Sequence, residues 1–541
     1  MRKILFVGCY FISTLFTPIF SQEIQPTRPK DFKPFIYKYS IEELSKMYSS
    51  EQMRKARVAE KDMKDLINKS PYKPDFSKID KHRLPEWFKD AKFGIFLDWG
   101  LWSPAGYGAR GYHGNYYPDT YLGYMYENPK VVEYHKKYWG ADFERDDFIP
   151  LFKANKFNSD TFALQCKKWG AKYVIPFAKH MDGYCIWNNS YSHRDAVDMP
   201  PYRDLLGEMY GAFQKQGLKY GFYNCNYEFE YPIINNNSIL LRTTKAANDP
   251  KDDMSGYLKF DSKKHNRMIS GKIAVNNYIN DYYVPYMKEV IDKYNPDILW
   301  YDAEWFNTSK NNGNDIITSY FYNKNEGKKE VAVNDRLGTD SREKHGDFYT
   351  SEFHVIIENK EHYWEENRPL GGSYGYYWAD NDSTMLSPSE LIKMLVRIVA
   401  RNGNLMLMVC PDGEGNIPQN QISRFNEMGD WLKTNGEAIY GTRATKESSD
   451  PSNTGDNVWY TTTKDGKYTY AFLFEWPKTG NITLRMAHPK WETKAYLLGY
   501  NKPLLSYDNP VDGMYVEFPE EMKNPSKRPA KHVWVVKYEN W

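Results

Sequence analysis

Helix–glycine–buried strand units repeat between about residues 86 and 435, and short strands without further helical signal follow them. Together they predict an α/β chain, a (β/α)8-like TIM barrel with a C-terminal antiparallel β-sandwich. Short apolar runs alternate with amphipathic helices that stop at glycine, the pattern of parallel strands joined by crossovers. An open doubly wound sheet satisfies the same alternation, but the number of strands, spread over about 350 residues, favours the barrel. No glycine-rich phosphate loop opens a helix after a strand, which removes the usual dinucleotide-binding reading.

Residues 1–21 read as a leader rather than as fold. Arg2 and Lys3 precede an apolar stretch from Ile4 to Phe20, and small Ser21 supplies a cleavage point, the layout of a secretory signal peptide. The stretch is short for a membrane anchor and no comparable run follows, so no membrane association is expected after cleavage. Cys9 has too little apolar sequence before it to read as a lipidation site. Residues 22–85 are charged and proline-punctuated, and Ser40 with Glu43 makes a capping box for a polar helix reaching about Asn68. This extension is expected to pack on, or be tethered to, the main domain.

Within residues 86–435 the elements follow in order. Phe93–Leu97 is a strand. Asn158 caps a helix ending at Gly170, before the strand Tyr173–Ala178. A helix over 204–216 stops at Gly217, before Lys219–Tyr223. A helix carrying Val284, Met287, Ile291 and Tyr294 on one face stops at Asn295-Pro296, before Ile298–Tyr301. Ser387, Pro388 and Glu390 start a helix that precedes Leu405–Val409. Residues 230–275, rich in Asn, Lys, Asp and Ser, read as a long polar loop insertion on the catalytic face, either disordered or forming a wall of the site. Residues 436–541 carry the short strands of the β-sandwich.

Composition excludes several functions. The chain has 72 Lys and Arg against 70 Asp and Glu, and removal of Arg2 and Lys3 with the leader leaves the mature chain neutral, so a nucleic-acid partner is not expected. Cys166, Cys185, Cys225 and Cys410 form no CxxC pair, which indicates neither a zinc site nor a disulfide scaffold. Aromatic residues make up 17%, with 46 Tyr and 16 Trp, a composition suited equally to a tyrosine-rich core and to sugar binding.

Barrel chemistry sits at the C-terminal ends of the strands. Those ends offer Asp98, His180, Tyr223, Asn224, Asp302, Arg336, Glu352, Tyr376 to Trp378 and Asp412. There is no HExxH and no GxSxG elbow, so neither a metal, a cofactor nor an acyl-transfer nucleophile is indicated. Two carboxylates acting as a pair, the basis of glycoside hydrolysis, are the simplest remaining chemistry. Position alone leaves Asp302 open between a functional acid and a helix N-cap. It leaves Glu352 open between a functional acid and an exposed or salt-bridged one, with Asp347 and Glu358 as competing neighbours.

Several segments in order resemble the α-L-fucosidases of glycoside hydrolase family 29. They are Trp87-Phe88-Lys89-Asp90-Ala91-Lys92-Phe93-Gly94-Ile95-Phe96, Lys179-His180-Met181-Asp182-Gly183-Tyr184, Tyr220-Gly221-Phe222-Tyr223, Leu299-Trp300-Tyr301-Asp302, Val333-Asn334-Asp335-Arg336, Asp347-Phe348-Tyr349-Thr350-Ser351-Glu352 and Gly436-Glu437-Ala438-Ile439-Tyr440-Gly441. The resemblance runs from about Trp87 to Arg443. It implies a retaining, exo-acting α-L-fucosidase acting on oligosaccharides or polysaccharides, with Asp302 as nucleophile, Glu352 as acid/base, and His180, Tyr223 and Arg336 lining the sugar site. A hydrophobic surround is expected to keep Glu352 protonated and Arg336 to keep Asp302 charged. With the leader, it also implies the periplasm.

Three positions depart from the family's pattern. Asp98 stands where a histidine is usual, His180-Met181 where two histidines are usual, and Asn115-Tyr116 where a Glu-Trp pair contacts the sugar. Such swaps change which hydroxyls the site bonds. An α-L-galactosidase, or a hydrolase of a substituted fucosyl unit, is therefore the alternative within the same chemistry. A non-catalytic carbohydrate-binding protein is the alternative of another class.

Overall fold

The computed structural model describes residues 24–540 except 112–113, 243–255, 354–361, 451–457, 488, 490–491 and 510. The leader expected over residues 1–21, Cys9 with it, and Glu358 lie outside the described residues. No helix among the described residues is long and apolar enough to cross a membrane.

Up to residue 409 the described strands are β1 (Phe93–Leu97), β2 (Tyr173–Lys179), β3 (Lys219–Cys225), β4 (Tyr231–Asn235), β5 (Ser238–Arg242), β6 (Tyr257–Lys259), β7 (Ile298–Asp302), β8 (Ala332–Val333), β9 (Tyr349–Glu352), β10 (Trp364–Arg368) and β11 (Gly403–Val409). Eight of them form one sheet in the order β8-β7-β3-β2-β1-β11-β10-β9, every neighbouring pair parallel. A parallel bridge between Asn334 and Phe348 joins the two edges, so the sheet curls into a barrel. β8 is too short for a full ladder there, and carboxylates complete the seam. Asp347 accepts from Val333 N at 2.9 Å and from the Tyr322 hydroxyl at 2.8 Å, while Asp335 accepts from Thr350 N at 3.1 Å. Asp347, a competing acid on sequence grounds, is thus a structural tie.

Aromatic rings fill the barrel interior. Phe96 packs against Phe177, Tyr223 and Trp300 at 4.6, 5.5 and 5.0 Å between centroids. Gly94 makes room for the Tyr173 ring, which stands 2.3 Å from where a Cβ would lie. β10, Trp-Glu-Glu-Asn-Arg, is buried despite its polarity. Inward-facing Glu365 accepts from Trp300 Nε1 at 2.9 Å and from the Tyr173 hydroxyl, which satisfies a carboxyl that burial pushes up to about 7.

The helix Ile41–Asn68 begins with the expected capping box and is packed on the barrel. Ala56, Met63 and Ile67 join the main core, and Arg57 pairs with buried Asp281 at 2.5 Å. The insertion differs from the expected polar loop. Its described part contains an antiparallel meander of β4, β5 and β6. The chain around it is held by buried ions, Arg145 to Glu230 at 2.6 Å and Lys272 and Arg194 to Asp146. Glu230 and Lys272, near its two ends, read as loop residues because their partners Arg145 and Asp146 lie far away in the chain, where no local period reveals them.

Beyond residue 441 come β12 (Thr442–Ser449), β13 (Val458–Thr463), β14 (Tyr468–Leu473), β15 (Asn481–Leu484), β16 (Tyr496–Leu497), β17 (Leu505–Asn509), β18 (Gly513–Glu517) and β19 (Trp534–Glu539). They form antiparallel sheets ordered β12-β13-β14-β19-β16 and β15-β18-β17, with Leu473, Leu484, Met514, Val516 and Val536 in a shared core. Arg443 and Lys464 reach Glu86 and Asp90 on the helix before β1, so this part docks away from the catalytic face. Cys166, Cys185, Cys225 and Cys410 are buried free thiols.

Candidate active site

Asp302 is the last residue of β7, whose preceding residues are all buried. The chain turns at once, with Ala303 at φ +67°. The next helix is capped by Thr308, whose side chain accepts from Asn311 N, so Asp302 is released from the capping role that sequence left open. Its Oδ1 accepts from Arg336 Nη1 at 2.8 Å and its Oδ2 from the Tyr223 hydroxyl at 2.6 Å. Tyr223 is stacked on Phe177 with centroids 3.7 Å apart, which fixes the hydroxyl's aim. Burial and the charge on Asp302 hold the Tyr223 phenol well above its usual range, so it acts as a donor.

Glu352 ends β9, and Arg336 Nη2 donates to its Oε1. One guanidinium therefore spans both carboxylates. Arg336 is itself locked: Nε donates to Thr350 Oγ1 at 2.9 Å, the Thr350 hydroxyl donates to Asp335 at 2.7 Å, and the guanidinium lies 4.8 Å from the Trp300 ring centroid. The hydrophobic surround expected for Glu352 is corrected by this geometry. Its side chain is 35% exposed and ion-paired, because β9 ends at the rim of the barrel.

The opposite wall carries Asp98, Asp119 and His180. Asp98, fully buried after β1, accepts from Trp102 Nε1 at 3.1 Å, while its Oδ2 has no partner among the described residues. Burial raises its pKa to about 8, so it is protonated at neutral pH. His180 follows β2, with Nε2 3.7 Å from Asp119 Oδ2 and no partner at Nδ1 among the described residues. Burial lowers its pKa to about 4, so the ring is neutral. Asp119 is held well above the usual carboxylate range by burial and then by the charges of Asp98 and Asp302, and its Oδ1 too is unpartnered among the described residues. Buried polar atoms are nearly always satisfied, so three that are not, beside two carboxylates that share one guanidinium, mark a wall suited to ligand hydroxyls.

Met181 is buried, and its carbonyl accepts from Phe229 N at 3.0 Å on the way into β4. Asn115 and Tyr116 belong to a loop laid on residues 372–377: Tyr116 N donates to Gly372 O at 2.7 Å and its ring stacks on Tyr377 at 4.9 Å. The acid this loop sends toward the carboxylates is Asp119, which sequence reasoning passed over. The available signal was that Asp119 is the sole acid between Asp98 and Glu127. Asp412 caps a turn, accepting from Glu414 N and Asn416 N, apart from these residues. Buried Glu304, beside Asp302, pairs with Arg342 at 3.3 Å, and Lys179 pairs with Glu228 at 2.8 Å beneath His180. Neither interaction has a sequence signature.

A family model described as alpha-L-fucosidase matches residues 60–437, and one described as alpha-L-fucosidase C-terminal domain matches residues 451–539. An alpha-L-fucosidase of Dictyostelium discoideum is 31% identical over 437 residues, covering 80% of this chain and 87% of that protein. The human plasma alpha-L-fucosidase is 30% identical over 476 residues, covering 87% and 92%. A crystal structure of Thermotoga maritima alpha-fucosidase in complex with fucose superposes with a TM-score of 0.70 at 28% identity, over 86% of this chain and 100% of that one.

Proposed function

The chain belongs to the α-L-fucosidase family of glycoside hydrolases, and from that premise we propose that it releases terminal α-L-fucosyl residues from oligosaccharides or polysaccharides by double displacement with retention. The observation that carries the mechanism is the single guanidinium of Arg336 spanning Asp302 and Glu352. A fork that reaches both oxygens favours the roughly 5–5.5 Å separation of retaining pairs over the roughly 6.5–9.5 Å that an inverting pair needs for an intervening water.

In the first half, Asp302 attacks the anomeric carbon. Tyr223 and Arg336 hold its two oxygens and aim it, and Glu352 gives its proton to the departing oxygen. Asp302 lies close enough to Asp119, and Asp119 and Glu366 close enough to Glu352, for their charges to register on one another. Once Asp302 is esterified its charge is gone, Arg336 is left to Glu352 alone, and Glu352 becomes the base that activates water. Wild-type turnover with net retention, abolished in Asp302→Asn, is the expected result. Inverted product would refute the mechanism.

Asp98 supports a second reading of the sugar. Its unpartnered buried oxygen asks for a further hydroxyl, which L-galactose carries on C6 and L-fucose lacks. Initial rates on aryl α-L-fucoside and aryl α-L-galactoside, measured side by side, decide between them. We also propose that residues 1–21 direct export to the periplasm, where such glycans are met. A cleaved N-terminus on protein recovered from that compartment is the test.

A further inference from the structure

We infer that Trp305 is the platform of a leaving-group subsite that stacks a pyranose ring, so that the substrates are fucosyl oligosaccharides rather than simple fucosides. This rests on the fucosidase reading above and deepens it.

Trp305 is the one exposed tryptophan among the described residues, with 51% of its surface open, in a chain that buries most of its aromatic rings. Large aromatics left open beside a reactive site are unusual without a partner, and an indole face matches the C–H face of a pyranose. Its position selects the occupant. Trp305 stands three residues after Asp302, and the intervening Glu304 is tied through Arg342 to the strand that ends in the acid/base. Arg342 Nη1 lies 3.3 Å from Glu304 Oε1, and its Nη2 donates to Thr350 O at 3.0 Å, two residues before Glu352. The backbone that carries Trp305 is thereby tethered, through Glu304, to the strand end that carries Glu352. The proton from Glu352 goes to the glycosidic oxygen, so the group that departs leaves past this side. The wall opposite, with Asp98, Asp119 and His180, is left for the fucosyl ring.

The platform is also propped. Phe306 meets Trp305 edge-on at 5.8 Å and 82°, and Tyr227, from the loop after β3, meets Phe306 edge-on at 5.4 Å. Among the described residues no ring stacks face-to-face on Trp305. A ring braced at its edge and open on its face loses little side-chain freedom when a sugar lands on it.

The test compares kcat/KM for α-L-fucosyl fluoride, which has no leaving-group ring, with kcat/KM for 2′-fucosyllactose and 3-fucosyllactose. The proteins are wild type, Trp305→Ala and Trp305→Phe. The expected result is unchanged fluoride hydrolysis in Trp305→Ala with about a tenfold or greater loss on the oligosaccharides, carried mainly by KM, and substantial recovery in Trp305→Phe. Equal losses on fluoride and oligosaccharides, no loss on either, or a wild type that takes neither oligosaccharide would overturn the subsite. A wild type inert toward the fluoride would instead sink the fucosidase reading, and the subsite with it.

Discussion

Arg336→Met tests the electrostatic core of the site. In the wild type its guanidinium is buried, donates to Asp302 at 2.8 Å and to Glu352, and is anchored through Thr350 and Trp300. Methionine keeps much of the volume and removes the charge and every donor. Asp302 then retains the Tyr223 hydroxyl alone, beside a second carboxylate whose charge is no longer offset. Losing a charge-assisted donor to the reacting oxygen costs about 2.7–4 kcal/mol in comparable sites, roughly a 100- to 1,000-fold fall in kcat. Removing the one cation that both acids share is also expected to move the pH–rate profile. Arg336→Lys keeps the charge but cannot fork between two carboxylates, so it is expected to fall between Met and wild type. The assay is kcat/KM on an aryl α-L-fucoside from pH 4 to 9, with circular dichroism to establish folding. A folded Arg336→Met enzyme with more than about a third of wild-type kcat/KM and an unmoved profile would refute the reasoning.

Glu352→Ala is expected to retain far more activity on a good aryl leaving group than on an oligosaccharide, because only the poor leaving group needs the proton, and added azide is expected to restore turnover; equal losses on both would deny Glu352 its role. Asp98 bears on stability. Its folded pKa of about 8 lies above the ordinary carboxyl value of 3.8, so its contribution is fully present below that ordinary value and is lost as pH rises through about 8. Asp98→Asn is therefore expected to flatten the fall of unfolding free energy between pH 5 and 8 by at most about 1.4 kcal/mol per pH unit, read as a shallower fall of Tm, and a variant whose Tm curve runs parallel to wild type would contradict a protonated Asp98. Gly94→Ala drives a methyl into the Tyr173 ring, with its nearest atom 2.3 Å away. A loss of about 1–3 kcal/mol in urea unfolding is expected, and a neutral result would mean that the ring can move aside.

Elements with a strong local period were legible in the sequence. The helix Ile41–Asn68 with its Ser40–Glu43 box and the helix Pro388–Val399 with its Ser387–Glu390 box lie where their caps predict. β1, β2, β3, β7 and β11 read as apolar because parallel strands bury both faces. Asp302 was within reach as a strand-end acid because it closes such a strand.

What only the tertiary structure decided concerns polar residues that are satisfied across the fold. β10 looks like a charged loop until Trp300 and Tyr173 are seen to bond Glu365. Asp347 and Glu352 are acids five residues apart with no sequence mark to separate them. The closing seam claims one and Arg336 the other. Asp119 stands apart from every strand end and enters the site through a loop laid on residues 372–377. Hydrophobic period is a local signal, written in neighbouring residues. Pairing of a buried charge joins residues far apart in the chain, so the sequence by itself determined the barrel and the acids at its strand ends, and the partnerships that tell one carboxylate from another came only with the folded chain.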